Sequence, residues 1–464
     1  MKHQKISIVL ANLISLTIFF IGCKKQTDLS PITPGTSDTG LVYTNRILDS
    51  TLLLARDIYL WYDQIPETFN ARDYDDPNTM MTAIRQYSME PDFSIPVDKW
   101  SFAIKKADWD NQSNGIIMNN TSMNITGDFG MTVFFSAEGD LRVRFVEKAS
   151  PAGHAGIIRS WRIIKLNGNT NLTSANSTFI IDNIYNSNTT SFTFQKPDGT
   201  TVDIILNAEE YRTQPVYLDT IYSYLDKKIG YLVFNSFLGD TNQIYNEFER
   251  VFTKFSNQNI TNIIIDLRYN GGGYVSVQER LANFLVSTSA NNGLMFIEQY
   301  NDKNTHYNST INFHKTGMLN LNHIYFIVSN STASASELLI NNLKPYMDVQ
   351  LIGPSHTYGK PVGFFPLLVG DWYIFPISFR SVNKNGVGNY FEGLQLNNQV
   401  ADGLDKDWGD VTESCLSSVL KRITTGTFKA EEYREFIDLP DAVKKSNEIL
   451  DQSLFKGSIG KQLK

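Results

Sequence analysis

The spacing of apolar residues divides the chain into stretches of different character. Between Arg46 and Tyr62, Ile47, Leu52, Leu53, Leu54, Ile58 and Leu60 fall roughly on one helical face, and Pro66 closes the run. A second helix is expected over 79–89. From 111 to 212 the pattern shortens to strand-like runs: MTVFF (131–135), LRVRFV (141–146) and RIIKLNG (162–168). SFTFQ and TVDIIL flank Lys196-Pro-Asp-Gly-Thr200, a hairpin signal. From 213 to 430 apolar strands alternate with helical patterns. Strands are expected at 228–237, 262–273 (ending in glycines), 323–330 and 349–353, with helices at 241–255, 275–286 and 334–346. This rhythm predicts a parallel or mixed α/β core.

The ends of the chain read differently. Residues 1–5 carry Lys2 and Lys5, an apolar run follows from Ile6 to Gly22, and Cys23 comes next. A basic start, an apolar stretch and a small residue before a cleavage point make a secretory signal over 1–22. Gly22-Cys23 resembles a bacterial lipobox, with Phe20 where Leu is usual, and the resemblance implies lipidation of Cys23. The polar segment 23–40 reads as a flexible tether. Residues 41–110 are expected to form an N-terminal helical domain that serves packing, and 431–464 a C-terminal helical extension.

Composition narrows the function. The formal charge is −7, and residues 1–22 hold two Lys and no acid, so a chain without them stands at −9. That balance argues against nucleic acid, which needs a basic stripe. The two cysteines, Cys23 and Cys415, form no CxxC pattern, and the six histidines show no HExxH spacing. Neither a metal nor a cofactor is expected.

Three short segments at the ends of predicted strands carry candidate chemistry. STASASE (331–337) places Ser334 at a helix start, where unpaired N–H groups favour developing negative charge. The same Ser-x-x-Glu spacing is also a capping box, which needs no chemistry. HTYGK (356–360) offers Lys360, a useful base only if burial lowers its pKa, and Tyr358, Val362 and Phe364 could supply apolar surroundings. DLRYNGGG (266–273) ends in Gly271, Gly272 and Gly273, whose amides could face an anion; no GK[ST] follows, so it is not a P-loop.

Two resemblances join these pieces. ASPAGHAGIIRSWRIIKLNG (149–168) resembles the SPAxxAGLxxGDxIxxVNG heart of a PDZ domain, with Ser160-Trp161 in place of Gly-Asp. GDFGM (127–131) resembles the PDZ loop that holds a peptide carboxylate, which implicates Gly127, Phe129 and Gly130 in peptide binding. The three core segments, in this order, resemble the carboxyl-terminal processing (tail-specific) serine peptidases, which carry DLRxNPGG, TASASEI and then TFGK. Here Ser334 and Lys360 lie 26 residues apart. DKWS (98–101) resembles the family's DPYS, the segment 393–420 resembles its ending, and YLWYDQIP (59–66) is similar to lipoprotein members from Bacteroidetes-like bacteria.

The resemblance implies an α/β multidomain fold: an N-terminal helical segment, a PDZ-like β domain at 111–212, and a ClpP/crotonase-like α/β serine protease core at 213–430. It implies Ser334 as nucleophile, Lys360 as base, and the N–H groups of Gly272 and Ala335 as oxyanion hole, with Gly271 and Gly273 lining the substrate. The expected partners are polypeptides with exposed or unfolded ends, and the membrane through the lipid anchor, at the outer membrane of the cell envelope. One departure stands out: the family's Gln four residues after the Lys is Phe364 here. His356 as an alternative base, and a non-catalytic peptide-binding lipoprotein, stay open as readings of the sequence.

Overall fold

The computed structural model describes residues 40–117, 127–224, 226–428, 439–451 and 455–460. The signal segment, Cys23 and nearly all of the tether lie outside them.

The core is a six-stranded sheet in the order Asn398–Gln399, Asp348–Gly353, His323–Ile327, Asn262–Asp266, Lys227–Phe234, Val216–Tyr224. All neighbours run parallel except the last pair, which is antiparallel. Alternation along the strands explains how helices cover both faces. Leu232, Ile263, Ile265 and Phe326 bury against helices Thr241–Asn257, Val275–Leu285 and Ala335–Leu343. Tyr231, Ile264 and Ile327 point the other way, onto helix Ser414–Thr425.

A second sheet holds five antiparallel strands in chain order, Met131–Ala137, Asp140–Val146, Arg162–Leu166, Thr189–Gln195 and Thr201–Asn207. The last two pair across the expected hairpin. Met131–Ala137 is an edge strand. The core of this sheet is completed by Val443 and Leu450, from helix Asp441–Leu450 near the far end of the chain.

The N-terminal helices Gly40–Ile58 and Pro77–Ile84 do not form a core of their own. They share one apolar cluster with Val362, Phe364, Ile374 and Phe375, and strand Phe102–Lys105 pairs with Trp372–Phe375. The 431–464 extension is also not wholly helical. After Asp441–Leu450 comes strand Gly457–Ile459, which gains its hydrogen bonds from distant strands rather than from its own neighbours. A mixed α/β multidomain fold is thus what the pattern predicts and what the chain adopts.

Candidate active site

The loop between strand His323–Ile327 and helix Ala335–Leu343 is made of small polar residues, and nearly every one is committed to holding the loop. Thr332 Oγ1 donates to Leu267 O at 2.7 Å and accepts from Ser329 N at 2.9 Å. Ala333 N and Ser336 Oγ both donate to Asn270 O at 3.0 Å. Ser331 Oγ donates to Asp451 at 3.0 Å. Ser334 alone in the loop has positive φ (60°), a conformation that costs a non-glycine residue about 1–2 kcal/mol. Its Oγ is turned away from the loop and donates to Ser458 Oγ at 2.7 Å.

Glu337 has a larger role than the capping box suggested. Its buried carboxylate accepts from Ser334 N at 2.8 Å, and also from Thr357 Oγ1 at 2.5 Å, Gly359 N at 2.7 Å and Lys360 N at 2.8 Å. One side chain therefore ties the Ser334 turn to the Lys360 turn. Burial raises its pKa, and the hydroxyl and three amides oppose that rise.

Lys360 is 1% exposed. Burial holds its ammonium pKa well below the usual value; the charges of Asp98 and Glu337 oppose the shift and Arg85 adds to it. Its Nζ lies 3.8 Å from the Phe364 ring centroid and 5.5 Å from that of Trp100, and donates to Lys456 O at 3.1 Å. Asp98 is held by the Tyr59 hydroxyl at 2.8 Å and by the amides of Trp100 and Ser101. The N-terminal DKWS segment, read from sequence as packing, thus forms a wall of the lysine site. No hydrogen bond joins Ser334 Oγ to Lys360 Nζ; each takes its partner from the C-terminal segment. His356 is exposed, and its Nδ1 contacts the Thr357 carbonyl at 2.7 Å, with no acid partner among the described residues.

The glycine loop lies against the Ser334 turn. A Cβ built on Gly272 would stand 3.0 Å from Ala335 N, which begins the helix. The Gly272 N–H is already engaged, donating to Asn270 Oδ1 at 3.0 Å. Gly271 O accepts from Gly457 N at 3.0 Å, and a Cβ on Gly273 would come within 2.1 Å of the Phe237 backbone, so the position needs glycine. Behind the loop, buried Arg268 pairs with Asp266, Glu413 and Asp402 at 2.7, 2.7 and 2.9 Å. Asp402 also takes Arg159 of the five-stranded domain at 2.5 Å. Burial raises the pKa of Asp402, but the two guanidiniums outweigh it and bring it down to about 2.

The Gly127–Gly130 loop stands at the edge of the five-stranded sheet. Phe129 is buried, edge-on to Phe192, rather than facing a ligand. Gly130 N donates to Asp128 Oδ1 at 2.7 Å, and Glu209 O lies over Gly127, 1.9 Å from where a Cβ would stand. A cavity of about 570 Å³ runs from Gly130, past Asp128, Arg144 and Glu147, to Gly271 and Phe455. Neither Ser334 nor Lys360 lines it; at that end it reaches the residues next to the Gly272–Gly457 pair.

Comparison with known proteins gives a likeness of sequence and of fold. Residues 228–374 match the profile "Peptidase family S41", and residues 53–102 match "Peptidase S41 N-terminal domain". A CtpA-like serine protease of Staphylococcus aureus is 27% identical over 241 residues, 51% of this chain and 46% of that protein. The carboxy-terminal processing protease CtpB of Bacillus subtilis is 26% identical over 255 residues, 53% of this chain and 50% of that protein. The chain thus spans about half the length of the curated relatives it matches. The crystal structure of an S41-type protein from Bacteroides fragilis shares the fold, with a TM-score of 0.65 at 21% identity, over 82% of this chain and 97% of that one. Both profile matches and these relatives make the chain similar, over these segments, to the S41 peptidases and to carboxyl-terminal processing proteases.

Proposed function

We propose that this chain is a serine endopeptidase in which Ser334 attacks the scissile carbonyl and Lys360 serves as its base. The observation that carries this reading is a lysine buried until its pKa falls, tied through Glu337 to a serine held at positive φ. A neutral Lys360 amine takes the Oγ proton as Oγ bonds to the carbonyl carbon. The resulting oxyanion is stabilised by the N–H of Ala335 at the helix start and by that of Gly272, which must exchange its bond to Asn270 Oδ1 for the oxyanion. The ammonium then gives its proton to the leaving amine, and water releases the acyl group. Phe364 faces Nζ with its ring, so it favours the ammonium form by about 0.5–2 kcal/mol, a role unlike that of a hydrogen-bonding Gln.

In this reading the five-stranded domain is PDZ-like and grips peptide ends, and the cavity leads them to the cleft. The chain is lipidated at Cys23 and works in the cell envelope, at the outer membrane, on exposed or unfolded polypeptides. The test uses the chain from Lys24 onward, with casein as substrate. Ser334→Ala and Lys360→Ala should each lower turnover by about 10⁴-fold or more; wild-type rates in either variant would sink the assignment. Activity should fall as pH drops through the lowered Lys360 pKa, since the protonated amine accepts nothing. A pH profile flat well into the acid range would count against Lys360 as base.

A further inference from the structure

The last two described stretches of the chain each lie in one of the two candidate peptide sites. Strand Gly457–Ile459 runs parallel to Gly272–Tyr274, in the register Gly272 with Gly457 and Tyr274 with Ile459. Its other edge meets Phe364: Phe364 N donates to Ser458 O at 3.0 Å, and Gly460 N to Phe364 O at 2.9 Å. Both edges of the strand are therefore satisfied, as they would be for a peptide added to a cleft. Lys456 O takes Lys360 Nζ, and Ser458 Oγ takes Ser334 Oγ. The nucleophile oxygen thus meets a hydroxyl rather than a carbonyl carbon, which is the register of an occupant and not of a substrate. Phe455 anchors the segment among Trp109, Phe102 and Phe364, with ring centroids 5.6–6.4 Å apart.

Ten residues earlier, helix Asp441–Leu450 covers the edge strand Met131–Ala137. Asn447 Nδ2 donates to Phe135 O at 3.0 Å while its Oδ1 accepts from Phe135 N at 2.8 Å. One amide side chain thereby uses both backbone groups that an incoming peptide strand would need. Val443 and Leu450 fill the apolar groove beside it. Asp451 joins the two halves: it pairs with Arg144 of the five-stranded sheet at 2.5 Å and with Lys456 at 2.9 Å, and accepts from Ser331 at 3.0 Å.

We propose that two stretches near the C-terminal end of the chain, 439–451 and 455–460, are the resident ligands of the two sites, a helix in the groove and a strand in the cleft, and hold the resting protein closed. Asp451 and Phe455 are four Cα–Cα steps apart, a reach of about 15 Å at most. A peptide that adds to the Met131–Ala137 edge must displace the helix, and this short link couples that displacement to the strand in the cleft. The consequence for catalysis rests on the peptidase reading; the occupancy itself does not.

The test therefore has two arms. In a Ser334→Ala background, a fluorescein-labelled, end-capped peptide of residues 455–460 is titrated by anisotropy into the chain from Lys24, into the same chain ending at Asp451, and into Ile459→Asp. The shortened chain keeps helix Asp441–Leu450, and Ile459→Asp disturbs the buried strand without truncation. A tethered occupant acts at an effective concentration in the millimolar range, so both variants should bind the peptide at least about tenfold more tightly than the full chain. With Ser334 intact, casein turnover should rise by a similar factor. Equal peptide binding by all three chains overturns the proposal, whatever the hydrolysis arm reads. Tighter binding with no hydrolysis in any chain leaves the occupancy standing and removes the peptidase reading.

Discussion

The two glycine loops use the same local device, one with a neutral side chain and one with an acidic one. In Asn270–Gly273 the Asn270 side chain accepts the Gly272 N–H at 3.0 Å; in Gly127–Gly130 the Asp128 side chain accepts the Gly130 N–H at 2.7 Å. Both are turns in which a short polar side chain satisfies an amide two residues on. Asn270 is neutral, and its Nδ2 is fastened to Phe234 O at 2.9 Å, so an anion can form beside it without repulsion. Asp128 is acidic and lies in a cavity with Glu147. Burial raises the pKa of both, that of Glu147 to about 7. Glycines after a strand thus make a loop geometrically fit for an anion, while the residue that closes the turn decides whether an anion is welcome.

Adding a charge should break the comparison most sharply at the Asn270–Gly273 loop, which we propose faces the reacting carbonyl. If the proposed oxyanion site is right, Asn270→Asp places a carboxylate beside it and should cost about 10²–10³ in kcat, similar to losing one oxyanion donor. Casein turnover on protein of unchanged thermal midpoint checks it, and a loss under threefold would mean that Gly272 does not face the reacting carbonyl.

The next effect is on stability. A carboxyl whose folded pKa is raised stabilises the fold while protonated in both states, and that contribution declines as pH rises from the unfolded value, near 4.5, through about 7. Glu147→Gln should therefore stabilise the protein by about 2–3 kcal/mol at pH 8 and by little below pH 4.5. Urea unfolding at the two pH values measures this, and an equal gain at both would refute the assigned cause.

The smallest effect expected is at the other loop. Asp128→Asn removes a like charge from the path of a peptide carboxylate and should tighten binding of a peptide with a free C-terminus by about three- to tenfold. The amidated peptide should not respond; if it gains as much, charge is not the reason.

The alternation of strands and helices from 213 to 430 was legible because it reflects local burial: each parallel strand is apolar on both faces and each helix on one. The small antiparallel sheet was legible for the same reason, through its period of two and its Pro-Asp-Gly turn. The strings around Ser334, Lys360 and the glycines could also be read, since strand ends and helix starts are written in nearby residues. The segment 98–101 was less legible, because its contact with Lys360 spans more than 250 residues.

Glu337 shows where reading stopped. Ser-x-x-Glu defines a capping box locally, and the carboxylate does accept the Ser334 N–H. Its bonds to Thr357, Gly359 and Lys360 depend on strands His323–Ile327 and Asp348–Gly353 lying side by side in parallel register. No periodicity encodes that adjacency. Phe364 stood out in the sequence as a missing Gln and as one of three residues able to make the lysine's surroundings apolar, whereas its ring position over the amine follows from packing against Phe102, Phe375 and Phe455.

By itself, the sequence determined the class of fold, the order of its elements and the small set of residues at the strand ends, because hydrophobic period, turns and caps are short-range properties. Tertiary structure alone decided what covers the lysine, which carboxylate joins the two loops, and what fills the cleft. Gly457-Ser-Ile459 has no strand pattern of its own; it becomes a strand because Gly272–Tyr274 and Phe364 present unpaired backbone groups that must be satisfied once buried.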